Sequence, residues 1–289
     1  MSESKIVPSP APPSARPPNH RALPGASDTH FHIFESPAKY SLSPRRIYDP
    51  PLSSVAGYRA MASMLGIERM VVVQASAYGT DNHCLLDSIP ALGARNTRGI
   101  AVVDRSITVE ALQQMDSSGI RGIRFNAITG PTPIEWLPEI ARLIEPLGWH
   151  IQLWIQGARL LEIFPLLEQI AVPIVLDHMG MFPIESGTTS REFQNILRLL
   201  ERGRTWIKLV GYRLSNRAPS YDDLLQPATA LVRAAPERCL WGSDWPHLHL
   251  EHRPMPNPTD LFDVVYNWFS EADIKRVFVD NPARLYGFE

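Results

Sequence analysis

Two histidines separated by a single residue, His30 and His32, begin the part of this chain that could do chemistry. Side chains alternate between the two faces of a β-strand, so both imidazoles of such a pair project to the same side. His178 and Asp244 each follow a short apolar run further along. Three imidazoles and a carboxylate can activate a water molecule or hold a divalent metal ion. Asp244 can join His30 only if the first and last strands of the fold are neighbours.

Short apolar segments alternate with amphipathic segments along the chain and predict the elements that position these side chains. We expect eight strands, at 28–34, 69–75, 98–103, 121–126, 150–155, 173–178, 205–210 and 238–244. We expect helices near 54–66, 83–93, 108–118, 135–147, 159–170, 190–202, 222–234, 260–270 and 272–279. This order predicts an α/β fold, a single-domain (β/α)8 TIM barrel, whose first and last strands meet. A doubly wound open sheet is the alternative, but it would keep the chain ends apart.

The first 24 residues differ in composition from the rest of the 289-residue chain. They hold seven prolines among small and polar residues, which predicts a disordered or extended arm at 1–24 before a barrel at 25–289. A net charge of −2, no long basic run and no long apolar stretch give no sign of a nucleic-acid or membrane partner. Cys84 and Cys239 lack metal-binding spacing, and no secretory signal is recognisable, so we expect a cytoplasmic protein.

Barrel enzymes carry their chemistry at the carboxyl ends of the strands, so residues that share a face there are candidates. Alternation predicts these inward sets: His30 and His32; Val72, Gln74 and Ser76; Gly122, Arg124 and Asn126; His150, Gln152 and Trp154; Ile174, Leu176 and His178; Leu240, Gly242 and Asp244. An inward guanidinium needs an anion, so we expect Arg124 to bind a carboxylate of the substrate. Arg213, just beyond strand seven, is expected to act similarly.

The structural alternative is that the histidines simply bond to one another, and it leaves the inward carboxylate of Asp244 unexplained. His150 begins its strand and is interpreted as structural, and Lys208 faces inward but receives no role. Three further histidines follow strand eight in a proline-rich loop and are expected at the rim or on the surface: His247, His249 and His252.

At these residues the chain resembles the amidohydrolase superfamily, in the branch of metal-dependent-hydrolase-like barrels that contains 2-pyrone-4,6-dicarboxylate lactonase and sugar lactonases. The resemblance runs from about residue 25 to 288. It rests on motifs at 28–34, 73–76, 79–82, 121–126, 177–180, 241–247 and 281–286. It implies a hydrolase that opens a carboxylated lactone, either similar to 2-pyrone-4,6-dicarboxylate or derived from a sugar acid.

The resemblance also implies roles. Asp244 would be the general base for the attacking water, while His30, His32 and His178 polarise the carbonyl or orient the water, directly or through a metal. The expected substrate contacts are Tyr48, Ser76, Arg124 and Arg213 from the resemblance, and Asn126, Gln152 and Trp154 from their predicted inward face.

Two positions depart from the family's pattern. Residues 127–130 read Ala-Ile-Thr-Gly where the pyrone-dicarboxylate branch has a second basic residue, and Trp154 replaces a tyrosine. A buried second carboxylate without a partner would be costly, so the dicarboxylate substrate follows less firmly than the reaction.

No cofactor is favoured. One zinc-like ion is chemically possible, held by His30, His32, His178 and Asp244. A cation beside Arg124 would be repelled, which favours a site without metal. The alternatives are a zinc-dependent decarboxylase, which would release CO2, a lactone isomerase, and an inactive barrel that only binds a ligand.

Overall fold

The computed structural model describes residues 7–248 and 253–289. Its main sheet has eight parallel strands, and each pairs with the next strand along the chain. The strands are β1 (Ser27–Phe31), β2 (Arg69–Val73), β3 (Thr97–Ala101), β4 (Ile120–Asn126), β5 (His150–Trp154), β6 (Ile174–Leu176), β7 (Thr205–Lys208) and β8 (Cys239–Leu240). The predicted (β/α)8 barrel is confirmed.

The barrel closes between β1 and the segment that follows β8. The Asp244 amide donates to the His30 carbonyl at 2.8 Å, and the His32 amide donates to the Trp245 carbonyl at 2.8 Å. The approach is close, because a Cβ atom on Gly242 would lie 2.6 Å from the Cβ atom of His30. The first and last strands therefore meet where their functional side chains emerge.

Helices cover the outside of the barrel. They are α1 (Val55–Leu65), α2 (His83–Leu92), α3 (Val109–Ser117), α4 (Leu137–Ile144), α5 (Gly157–Glu168), α6 (Arg191–Glu201), α7 (Leu225–Ala234), α8 (Pro258–Trp268), α9 (Glu271–Lys275) and α10 (Asn281–Tyr286). Ser54, Thr108 and Ser190 accept backbone N–H groups in the first turns of α1, α3 and α6. No helix in the described ranges has the length and apolar character that crossing a membrane requires.

Two apolar layers show which strand face points inward. The smaller layer fills the lower barrel and consists of Val71, Val73, Ile100, Val175, Trp206, Leu240, Tyr286 and Phe288. Val72, Ile174 and Leu176 belong instead to the layer under the helices. The inward faces predicted for strands two and six are therefore wrong. Both strands are apolar on both faces, so alternation alone cannot say which face is inside.

The described part of the proline-rich arm, residues 7–24, lies against the barrel. Val7–Pro8 pairs in parallel with Tyr48–Asp49. Further along, the Asn19 amide donates to the Asp263 carboxylate on α8 at 3.0 Å. The arm thus contacts both the mouth side of the barrel and the helix that follows β8.

Candidate active site

Asp244 lies buried in the barrel mouth with three imidazoles around its carboxylate. Its Oδ1 atom is 3.6 Å from His30 Nε2 and 3.7 Å from His32 Nε2. Its Oδ2 atom is 3.9 Å from His178 Nδ1. The four residues that the sequence singled out are thus assembled in one place.

The backbone at two of these residues is in the left-handed region. Asp244 has φ 55° and His178 has φ 50°, which is uncommon for residues other than glycine and is concentrated at functional sites. In β6 the inward residue is Val175, so plain alternation would turn Asp177 inward and His178 outward. The change of backbone conformation after Asp177 brings both side chains into the mouth.

The two oxygens of Asp244 have different surroundings. The Tyr212 hydroxyl and Arg213 Nε each donate to Oδ2 at 2.7 Å, and Arg213 Nη2 lies 2.7 Å from the same atom. Oδ1 has no hydrogen-bond donor among the residues that the structure describes. Oδ1 is therefore the oxygen that can accept a proton.

Burial and charge set the protonation of this group. Burial lowers the pKa of both His30 and His32 to about 3, and it holds the pKa of His178 well below 6.5. Burial alone would raise the pKa of Asp244, but the Arg213 guanidinium and the surrounding imidazoles hold it well below 3.8. At neutral pH the site therefore combines neutral imidazoles with an ionised carboxylate.

Asp177 is a second buried carboxylate, to which the sequence analysis gave no role. Its Oδ1 atom is 3.2 Å from His30 Nδ1, and its Oδ2 atom accepts Arg124 Nε and Nη2 at 3.3 Å each. Burial favours its neutral form, but the His30 ring and the charges of Lys208 and Arg124 keep its pKa well below 3.8. Its sequence signal was an acidic residue at the end of an apolar strand.

Five of the predicted substrate contacts lie together. The guanidinium groups of Arg124 and Arg213 are each 5.4 Å from the ring centroid of Trp154. The Tyr48 hydroxyl is 3.4 Å from Ser76 Oγ. Burial raises the pKa of Tyr48, and the charges of Arg124 and Arg213 oppose that rise, so its phenol lies within their field.

The two predicted amide contacts have partners inside the protein. Asn126 Oδ1 accepts the Thr129 amide at 2.9 Å and so closes its own turn. Gln152 Oε1 accepts Lys208 Nζ at 2.7 Å, and its Nε2 atom donates to Asp177 at 3.2 Å. The structure does not leave either amide open toward a ligand, and it shows Lys208, which had no assigned role, as part of the Asp177 network.

His247 was expected at the rim or on the surface, and this prediction is wrong. Its side chain is buried, and its ring packs edge-on against Tyr212 with centroids 5.4 Å apart. The backbone has φ 65°, which turns the chain back into the mouth. His249 and His252 lie outside the described residues.

The ring nitrogens of His30 and His32 bear on whether a metal ion fits. His32 Nδ1 lies 2.8 Å from the Val73 carbonyl, which can only accept, so the ring proton is on Nδ1 and Nε2 has a lone pair. His30 Nδ1 lies 3.2 Å from Asp177 Oδ1 and 3.5 Å from Lys208 Nζ. The His32 lone pair and His30 Nε2 both lie near Asp244 Oδ1.

Ligands about 2.1 Å from a tetrahedral zinc ion are about 3.4 Å apart. The observed separations of 3.6 and 3.7 Å are close to that value. The two groups of donors that could hold one ion, among described residues, are His30, His32 and Asp244, and His30, Asp177 and His178. The donor set therefore fits a single divalent ion.

The family model described as Amidohydrolase matches residues 27–288. This chain belongs to the amidohydrolase family. The resemblance inferred from the sequence motifs is confirmed. Lactone hydrolases are among the similar proteins, as the resemblance implied.

Three of the similar proteins have informative names. A 2-pyrone-4,6-dicarboxylate hydrolase of Comamonas testosteroni is 36% identical over 276 residues, covering 91% of this chain and 90% of the relative. A 4-sulfomuconolactone hydrolase of Hydrogenophaga intermedia is 32% identical over 271 residues, covering 91% and 89%. The crystal structure of a probable 2-pyrone-4,6-dicarboxylic acid hydrolase of Acinetobacter baumannii with citric acid bound has a TM-score of 0.80 at 27% identity, covering 91% and 100%.

Proposed function

We propose that this amidohydrolase opens a lactone that carries an anionic substituent, using a water molecule activated by Asp244. The observation that carries this proposal is the asymmetry of that carboxylate. Oδ2 is bonded to Tyr212 and Arg213, while Oδ1 faces His30 Nε2 and His32 Nε2 without a donor in the described part of the chain.

An anionic substituent is supported by the cations beside this carboxylate. Arg124 and Arg213 lie over Trp154, which is buried, and a carboxylate or sulfonate bound there can accept their N–H groups. The named substrates of the relatives, a pyrone dicarboxylate and a sulfomuconolactone, are lactones with such groups. Citric acid bound to the Acinetobacter protein is also a carboxylic acid.

The reaction follows from the hydrogen positions. A water molecule can donate one hydrogen to Asp244 Oδ1 and the other to a lone pair on His30 or His32, which leaves its oxygen free to attack the carbonyl carbon. The water proton passes to Oδ1, the ring C–O bond breaks, and Oδ1 returns the proton to the leaving oxygen. Because Nε2 of His32 has no proton, it orients water and does not donate to the oxyanion. We assign oxyanion stabilisation to His178.

A divalent ion, if bound, would be held by His30, His32 and Asp244, and it would supply a Lewis acid for the carbonyl oxygen. Metal analysis of the purified protein, followed by turnover measurements after chelation and after zinc is added back, tests this directly. Stoichiometric metal whose removal abolishes turnover would show that these side chains bind a catalytic ion. Full turnover without metal would show that they orient the water molecule directly.

The experiment that tests the proposal is a panel of carboxylated lactones, sugar-acid lactones and their neutral methyl esters. Ring opening is followed by absorbance and by proton release. We expect the anionic members to be hydrolysed and their esters to have much lower kcat/KM. If no lactone is opened at any pH and metal content tested, the proposed function is wrong.

We also propose a cytoplasmic location. Cys84 and Cys239 are both free and buried, which fits a compartment that keeps thiols reduced. Fractionation of cells expressing the untagged protein tests this proposal, because recovery in an exported fraction would contradict it.

A further inference from the structure

Tyr212 is a buried residue of the segment between β7 and α7, and its hydroxyl reaches Asp244. The hydroxyl donates to Oδ2 at 2.7 Å. A carboxylate oxygen accepts hydrogen bonds, so the phenol is the donor of this bond.

The Tyr212 ring is held from several sides. His247 packs edge-on against it, with ring planes at 90°, and the Arg213 guanidinium lies 5.2 Å from its centroid. The preceding residue, Gly211, packs so tightly that a Cβ atom there would come within 2.6 Å of Leu224 Cδ1. The position of the hydroxyl is thus set by packing rather than by its bond to the carboxylate.

Arg213 contacts the same oxygen but has further partners. Its Nη1 atom donates to the Leu248 carbonyl at 2.8 Å, and its guanidinium lies over Trp154 in the proposed substrate subsite. A substrate anion there would compete with Asp244 for Arg213. Tyr212 is uncharged and already donates its hydroxyl hydrogen to Oδ2, so its bond to the carboxylate can persist.

We propose that Tyr212 is a positioning residue that keeps Asp244 Oδ1 turned toward His30 and His32 while Arg213 binds the substrate's anion. With Oδ2 fixed by the phenol, rotation of the carboxylate that would exchange the two oxygens is opposed. This role rests on the proposed lactone hydrolysis for its kinetic consequence, but the orientation of the carboxylate can be observed without any substrate.

The first test is Tyr212→Phe, which removes one oxygen and keeps the ring that packs against His247. We expect kcat to fall by about 10- to 100-fold, since misplacing a reacting group by about 1 Å can cost about 100-fold. We expect KM to change by less than about threefold, because the substrate contacts remain. Tyr221→Phe, at another buried tyrosine of the same segment, is the matched control and should behave as the wild type.

The second measurement is the crystal structure of Tyr212→Phe with citrate bound, so that a carboxylate engages Arg213, compared with the wild type under the same conditions. We expect Oδ1 to move away from the two Nε2 atoms, which are 3.6 and 3.7 Å from it in the wild type, in a protein that still unfolds cooperatively. Wild-type kcat, or a carboxylate that does not move, would overturn the inference. If no lactone is turned over by the wild type, the proposed function fails, and the carboxylate position alone decides the role of Tyr212.

Discussion

Two buried carboxylates lie on opposite sides of the His30 ring, and they differ in what surrounds them. Asp177 Oδ1 is 3.2 Å from His30 Nδ1, and Asp244 Oδ1 is 3.6 Å from His30 Nε2. Each carboxylate also pairs with an arginine, Asp177 with Arg124 at 3.3 Å and Asp244 with Arg213 at 2.7 Å. In the described part of the chain Oδ1 of each acid lacks a hydrogen-bond donor, but Asp244 Oδ1 lies near two imidazole Nε2 atoms, those of His30 and His32.

We infer from this difference that Asp177 orients neighbouring side chains, whereas Asp244 takes part in the reaction. Asp177 lies beside Lys208 and accepts from Gln152, so its charge is surrounded by groups of the protein. It lies beside His30 Nδ1, the place of the carboxylates that orient catalytic or metal-binding histidines. Asp244 retains one oxygen for a ligand. We therefore expect changes at Asp177 to affect stability and changes at Asp244 to affect turnover.

The largest expected effect on turnover is that of Asp244→Asn. Without an ionised oxygen toward the imidazoles, kcat for an anionic lactone should fall by about 1,000-fold or more. The folded structure should persist, because the amide can still accept from Tyr212 and Arg213. Steady-state kinetics with circular dichroism checks this, and Asp87→Asn on the surface is the control. Retained turnover would exclude Asp244 as the base.

Asp177→Asn is expected to cost stability. It leaves Arg124 and Lys208 buried without their counter-charge, and losing one partner of a buried pair costs about 3–5 kcal/mol. We expect the free energy of unfolding in urea to fall by about that amount, with kcat reduced less than in Asp244→Asn. A stable variant that is as inactive as Asp244→Asn would reverse the roles given to the two acids.

Arg213→Lys should change substrate selection. A lysine keeps the charge but not the two-pronged geometry, so we expect KM for an anionic lactone to rise about tenfold. The KM for its neutral methyl ester should hardly change. Arg124→Lys is the comparison. Because Arg124 also pairs with buried Asp177, we expect this variant to lose stability in addition to a higher KM for the anionic lactone. Equal effects on acid and ester would refute an anion contact by Arg213.

The smallest effect on turnover is expected for His150, a buried imidazole at the start of β5 that packs against Tyr286. Burial lowers its pKa to about 3, below the unfolded value of about 6.5. The unfolded chain therefore binds the proton first, and stability that is complete above pH 6.5 is lost as the pH falls toward 3.

His150→Asn should reduce this acid sensitivity by up to about 1.4 kcal/mol per pH unit and leave kcat at neutral pH unchanged. Urea unfolding at several pH values between 4 and 7 is the measurement. An unchanged slope would show that His150 does not take up a proton on unfolding.

The fold could be predicted from the sequence because its signal is repeated eight times, and the expected strands overlap all eight strands of the barrel. His30, His32 and Asp244 could be predicted as neighbours because closure of a barrel follows from that repeat. In β4 and β5 the inward polar faces were also read correctly, since Arg124 and Gln152 stand out between apolar neighbours.

The other side-chain directions in the site could not be predicted, because they depend on backbone conformations that strand alternation does not describe. The inward face of β6 was misassigned because Ile174, Val175 and Leu176 are all apolar, and Asp177 was missed with it. His178 reaches the mouth through a left-handed backbone, and His247 is buried by another. Tyr212 lies in an irregular segment, where no periodic pattern predicts the direction of a side chain.

In the proposed reaction, a water molecule activated at Asp244 is added across a lactone bond. Turnover in ¹⁸O-labelled water followed by mass spectrometry of the product tests it most directly. We expect a ring-opened acid carrying one ¹⁸O atom in its new carboxylate, and almost none of this product from Asp244→Asn. A rearranged lactone without label, or release of CO2, would contradict it.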